Sequence, residues 1–273
     1  MTGFPEILPA DAGPDIAALY ADIQAVSGVP VVNLIWRHMA ALPGVLAWAW
    51  GAVRPLVAST ELRVARERVA RAATLPGLPA TGRAAWAAAG VSASSRPQLA
   101  ALLDDYVRGN CTNIVALTAL RLRLEGHGGP VAILTPAPAP PPAPPLPPLP
   151  RIEALDPALA RAVRALAARH EGAGGGVIPS IYLALAPWPG VIAALPAWLG
   201  PLYAPEALRA ARTSTQRAAE EAAAALLPAP GPAPGPAPAG AAALRPTLDR
   251  FTRLVIPDLI PVCVALRDAL GTA

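Results

Sequence analysis

The strongest constraint on this chain is that part of it is written twice. Gly28 to Leu56 reads GVPVVNLIWRHMAALPGVLAWAWGAVRPL, and Gly174 to Leu202 reads GGGVIPSIYLALAPWPGVIAALPAWLGPL. The two align without a gap at a constant offset of 146, set by Gly44 against Gly190. At that offset Val31 meets Val177, Ile35 meets Ile181, Trp36 meets Tyr182, and Pro55-Leu56 meets Pro201-Leu202. A second match, at an offset of 145, brings Leu103-Asp104 onto Leu248-Asp249, Tyr106 onto Phe251, Arg108 onto Arg253 and Asn113 onto Asp258. A repeat this long, present only twice, points to a duplicated domain; solenoids stack several shorter repeats to close a core.

Midway between the copies lies TPAPAPPPAPPLPPLP, Thr135 to Pro150. Its composition is that of a polyproline II segment, stiff and without internal hydrogen bonds. Fully extended it spans roughly 45 Å at ~3.1 Å per residue, enough to strap one copy to the other across a pseudo-two-fold axis. Its P-x-x-P spacings also fit a ligand for a proline-recognising domain, the lesser reading. The expected organisation is a first helical repeat over 1–134, a Pro-rich linker over 135–151 and a second helical repeat over 152–273. The second repeat contains a low-complexity Ala/Pro loop over 228–240.

Each copy reads as helix. Hydrophobic residues make up 54% of the chain, mostly Ala and Leu, while aromatics are 4%; that balance favours an all-α fold. Pro14 to Val26 opens with Pro and Asp and places Ile16, Leu19, Tyr20 and Ile23 on one face. Val31–Ala41, Val45–Leu56, Glu61–Ala73 and a short piece over 84–89 follow. Pro97 to Leu124 is expected as one helix bent at Gly109, or as two. In the second copy, helices are expected over 156–169, within the repeated motif and over 205–227.

Several functions are excluded or disfavoured. All 22 basic residues are Arg and they are scattered, with no basic stripe interleaved with aromatics, so nucleic acid is not an expected partner. With no Lys there is no phosphate-binding G-x-x-x-x-G-K motif, and the Gly172–Gly176 run lacks the preceding strand of a dinucleotide site. His38, His127 and His170 show no metal-ligand spacing, so neither metal nor cofactor is expected. Residues 172–205 carry no charge, yet Pro179, Pro187, Pro189, Pro196 and Pro201 interrupt them. The matching stretch of the first copy holds Arg37, His38 and Arg54, so a buried helix is favoured over a membrane span. No signal peptide is visible, and two cysteines, Cys111 and Cys263, are too few for a disulfide framework; a cytoplasmic protein is expected.

The polar residues inside the apolar repeats are the informative ones: Asn33, Arg37, His38, Asn110, Asn113 and Asp258. A duplicated helical domain makes a cleft where its halves meet, and bundles place ligand sites between facing helices. Asn110 and Asn113 share a helix face and are as well suited to a site as to satisfying backbone. Asn33 is read as a backbone partner at a helix break. Arg37 suits either an anionic substrate or a neighbouring carboxylate.

These segments resemble the group I (DehI-type) 2-haloacid dehalogenases. The resemblance rests on VPVVNLIWRHMAALPG, on Y-x-R-x-N-x-x-N over Tyr106–Asn113, on W-P-G at Trp188–Gly190, and on the Pro-rich strap between two copies. It implies two pseudo-symmetric helical repeats, distantly alkylhydroperoxidase-D-like, with the site between them. It implies hydrolysis of small 2-halocarboxylic acids by direct attack of water, with an aspartate of the second copy as base and an asparagine positioning the water. The resemblance carries that asparagine to Asn113 or Asn110, and the substrate pocket to Trp36, Arg37, His38, Met39, Tyr182 and Trp188. From Gly172 to Pro205 the chain has no Asp and no Glu, so the family's aspartate has no counterpart there. His38 and Asp258 are the candidate replacements. Two alternatives stand beside the hydrolase: a non-catalytic binder of small hydrophobic carboxylates, and a redox enzyme, disfavoured because there is no C-x-x-C. A small-molecule substrate, no nucleic acid, no membrane and a homodimer still to be tested complete the expectation.

Overall fold

In the computed structural model the described residues are 5–75, 78, 81–127, 134–141, 149–173, 177–227 and 237–271. They form an all-α fold. Among them the one β-type pairing is an isolated antiparallel bridge between Ser59 and Pro136.

The order is α1 (Pro14–Ser27), α2 (Leu34–Ala40), α3 (Val45–Val57), α4 (Thr60–Ala72), α5 (Arg83–Ala88) and α6 (Arg96–Leu124). Then come α7 (Pro157–Ala167), α8 (Ser180–Ala184), α9 (Pro189–Trp198), α10 (Pro205–Leu226), α11 (Ala241–Arg250) and α12 (Ile256–Gly271). Local chemistry sets several of these ends. Pro14 and Asp15 start α1, and Gly28, at φ 68°, ends it in the left-handed region. Ser59 caps α4 by accepting from the Leu62 N–H, and Asp156 caps α7 by accepting from Ala158 and Leu159. The span 97–124 is a single helix, not two. The helix expected over 31–41 begins only at Leu34, since Val31 and Val32 are not helical.

The junction of the last two helices departs from α geometry. Between α11 and α12, Phe251–Val255 is a π-helix in which the Ile256 N–H donates back to Phe251 O. Pro257 follows directly. Its ring would clash with the carbonyl of Arg253 and it has no N–H to offer, so a wider turn relieves the conflict.

The core is continuous. Fully buried Trp36, Trp86 and Tyr182 belong to one apolar cluster with residues from every α-helix. At its centre α6 packs against α12, α10, α4, α3 and α11. Cys111 on α6 and Cys263 on α12 are free and buried, and burial pushes the Cys111 thiol up to about 12 and raises Cys263 as well. Among the described residues no helix is long and apolar enough to cross a membrane.

The Pro-rich segment is anchored at its start. Thr60 N–H donates to Thr135 O (2.9 Å), Ala137 N–H to Ala58 O (2.8 Å), and Arg63 donates to Pro138 O. Pro140 lies against the Gly28 turn. Residues 142–148 of the linker, 174–176 of the Gly-rich loop and 228–236 of the Ala/Pro loop lie outside the described residues.

Candidate functional site

A cavity of about 790 Å³ opens where the N-terminal segment, the starts of α2 and α8, the middle of α6, the π-turn and the end of the linker converge. Most of its wall is apolar. Val31, Val32 and Leu34 come from the approach to α2 and its first residue, and Val177, Ile178 and Leu183 from the approach to α8 and α8 itself. Phe251, Val255 and Ile256 come from the π-turn and the residue after it. The wider π geometry thus shapes one side of the cavity, as such turns often do at functional sites.

Against this apolar wall a few polar groups stand out. Asn110 lines the cavity and is 3% exposed. Its Nδ2 donates to Tyr106 O at 2.8 Å, and because a helix carbonyl only accepts, that bond fixes which way the amide points. Oδ1 is then left without a partner among the described residues, yet it is not among the sealed polar atoms. It is an acceptor open to the cavity, suited to holding a water. Asn33 also lines the cavity; it occupies the N-cap position of α2 but makes no capping bond. Its side chain was expected to satisfy backbone, and it is instead uncommitted among the described residues.

His170, just beyond α7, is in the same wall and 5% exposed. Its Nε2 lies 2.6 Å from Tyr182 Oη, which is 3.0 Å from Tyr203 Oη. Its Nδ1 is buried with no partner. Burial lowers its pKa to about 4, so the ring is neutral at pH 7. Burial also raises both tyrosines, Tyr203 to about 12. Sequence reasoning passed over His170 because it looked only for metal spacing; its place directly before the Gly-rich run was the available signal.

Glu6 is the only carboxylate in the wall among the described residues. It accepts from Arg37 Nε at 2.6 Å, while Arg37 Nη1 donates to Val32 O at 2.6 Å. Arg151, from the end of the linker, is the other cation in the wall and has no ion-pair partner among the described residues.

Of the residues singled out from the sequence, Asn110 and Arg37 line the cavity. Asn113 sits one turn away, 6% exposed, with Oδ1 accepting from Trp36 Nε1 at 3.0 Å. Trp36 in turn meets Trp50 edge-on at 5.6 Å between ring centres. Tyr182 supports His170, while Met39 and Trp188 are core residues. None of these five is in the cavity wall itself. His38 is buried, with Nδ1 2.8 Å from Pro5 O and Nε2 3.4 Å from Thr247 Oγ1. Facing a carbonyl, which only accepts, Nδ1 is the donor of that pair. Asp258 is 1% exposed and accepts from Gly172 N–H (3.0 Å) and Arg212 Nη1 (3.3 Å). It holds the backbone beside His170 and does not reach the cavity wall. Burial raises its pKa, partly opposed by those two donors. Among the described residues no cluster of His, Cys, Asp or Glu could hold a metal ion.

No family model matches the sequence, and no curated protein matches it. Solved structures do match the fold along its whole length. A D-2-haloacid dehalogenase mutant in complex with D-2-CPA superposes with a TM-score of 0.75 at 20% identity, covering 99% of this chain and 94% of its own. The D-2-haloacid dehalogenase with L-LA gives a TM-score of 0.74 at 19% identity, covering 99% and 95%. A further D-2-haloacid dehalogenase mutant gives 0.74 at 19%, covering 99% and 94%. The fold of this chain is therefore that of the D-2-haloacid dehalogenases.

Proposed function

We propose that this chain is a 2-haloacid dehalogenase-like hydrolase whose cleft binds a 2-substituted monocarboxylic acid. The observation that carries the reading is the end-to-end fold likeness to D-2-haloacid dehalogenases, together with an apolar cavity holding an unpaired asparagine oxygen. In this reading a water held by Asn110 Oδ1 attacks the halogen-bearing carbon. The halide leaves with the electron pair of the broken bond, and the water's proton passes to a second water of the cleft and then to solvent. His170 Nδ1 is sealed from the cavity, so the ring serves as wall and as partner to Tyr182. Asn113, through Trp36, positions the wall and does not touch substrate. Trp36, Met39, His38, Tyr182 and Trp188 support the pocket from behind.

The proposal includes the duplication. It is supported by the element ranges, since α1, α2, α3, α4 and α6 recur in order as α7, α8, α9, α10 and the α11–α12 unit. It also includes a cytoplasmic setting, in keeping with two free buried cysteines, and a homodimer, which sedimentation equilibrium would test.

A second reading is a carboxylate-binding protein without turnover. What favours it is that Glu6, the one carboxylate in the wall among the described residues, is already paired with Arg37. Halide release from D- and L-2-chloropropionate decides between the two. Hydrolysis predicts release that Asn110→Ala lowers by about 100-fold or more, the scale of a lost positioning group. Release that this variant retains would sink the assignment of Asn110. No release by the folded protein would sink the hydrolase.

A further inference from the structure

The cavity is far larger than a three-carbon acid requires. About 790 Å³ is the space of roughly two dozen waters at about 30 Å³ each, and lies well within the roughly 300–1,000 Å³ of sites that enclose drug-sized ligands. Its polarity is also graded. The charged members of the wall, Glu6, Arg37 and Arg151, belong to its more exposed part, and they sum to one positive charge. Its buried members are apolar apart from Asn110, His170 and the Gly172 backbone, with Phe251, Ile256 and Leu259 at 3%, 4% and 7% exposure. A small acid would leave this buried apolar surface against water. A longer chain would cover it.

We infer that the ligand of this cleft is a monocarboxylic acid with an apolar chain of about six to ten carbons. Its carboxylate meets Arg151 at the rim and its chain lies along the π-turn and α12. The inference rests on the reading above that the cleft receives a carboxylate, and it holds whether or not the acid carries a leaving group at C2. Arg151 is the cation suited to this, because Arg37 is already engaged by Glu6 and Val32 O whereas Arg151 has no ion-pair partner among the described residues. Arg also matches a carboxylate's two oxygens with a planar fork.

The test is calorimetric titration of the full chain with propionate, hexanoate, octanoate, octanol and 2-chloropropionate, beside halide release from 2-chloropropionate and 2-bromooctanoate. The expected result is affinity rising about fourfold per methylene from propionate to octanoate, as burial of the chain requires. Arg151→Ala should weaken octanoate about tenfold while keeping the chain-length dependence. Leu183→Trp, which fills the wall from α8, should abolish octanoate binding at an unchanged helical circular dichroism signal. The wild-type series stands even if that variant does not fold. Affinity that does not grow with chain length overturns the inference, as does octanol binding as tightly as octanoate. Turnover of 2-chloropropionate without octanoate binding overturns the inference and leaves the dehalogenase reading intact. Binding or turnover of no acid at all overturns both.

Discussion

At the scale of single residues, His170 makes the protein's stability depend on pH in a way that needs no ligand to observe. Burial takes its pKa from 6.5 down to about 4. Between those values the unfolded chain binds a proton that the native one refuses, so stability is full above pH 6.5 and falls as pH drops toward 4. The loss is on the order of 3 kcal/mol. Asp258, raised by burial, has the opposite sign, so the contribution is read as a difference. The gap in urea midpoint between wild type and His170→Gln should shrink from pH 7 to pH 4.5; a gap independent of pH would contradict the buried neutral ring. Arg121 gives a second prediction. It is 4% exposed and holds Glu125 and Glu220, each at 2.9 Å, while both carboxylates keep about a third of their surface in water. Removing both acids strands a buried cation and should cost about 3 kcal/mol, whereas Arg121→Met should cost less than about 1 kcal/mol. Chemical denaturation of the two variants measures the order. Asn110 and Arg37 were legible in the sequence as polar residues within apolar repeats. The role of Asn33 was not, because an N-cap asparagine normally bonds its own helix and only the structure shows that this one does not.

Among the elements, Pro43-Gly44 and Pro189-Gly190 are the same two letters, but the glycines are required for different reasons. Gly44 sits at φ 74°, a conformation that side chains rarely adopt. Gly190 lets the start of α9 approach the end of α5 so closely that a Cβ there would lie 2.5 Å from Ala89 O. Gly44→Ala should cost about 1 kcal/mol of backbone strain. Gly190→Ala should cost more, about 1–3 kcal/mol, because backbone must move. Thermal denaturation of the two variants ranks them, and equal losses would mean that α5 and α9 slide apart freely. Periodicity and capping residues made most helices readable, as with Pro14, Ser59 and Asp156. The π-turn could not be read from them, since Pro257 could equally have kinked or ended the helix, and only packing against the cavity decides.

For the whole molecule, α6 and α12 lie side by side through one continuous core, with α3, α4, α10 and α11 around them. Urea unfolding followed by far-UV circular dichroism and by tryptophan fluorescence should give a single coincident transition, and residues 1–134 alone should not fold. Two separated transitions would mean two independent units. The all-α class was visible in the Ala- and Leu-rich composition. The lining of the cavity was not, because residues far apart in the chain, such as Glu6, Arg151 and Leu259, meet only after folding. The linker enters this picture at both ends. Near Ser59 it is pinned to α4, and at Leu149, Pro150 and Arg151 it forms part of the rim of the cleft. Those three residues belong to no α-helix, so exchanging them would reshape the edge of the cavity while every helix kept its sequence.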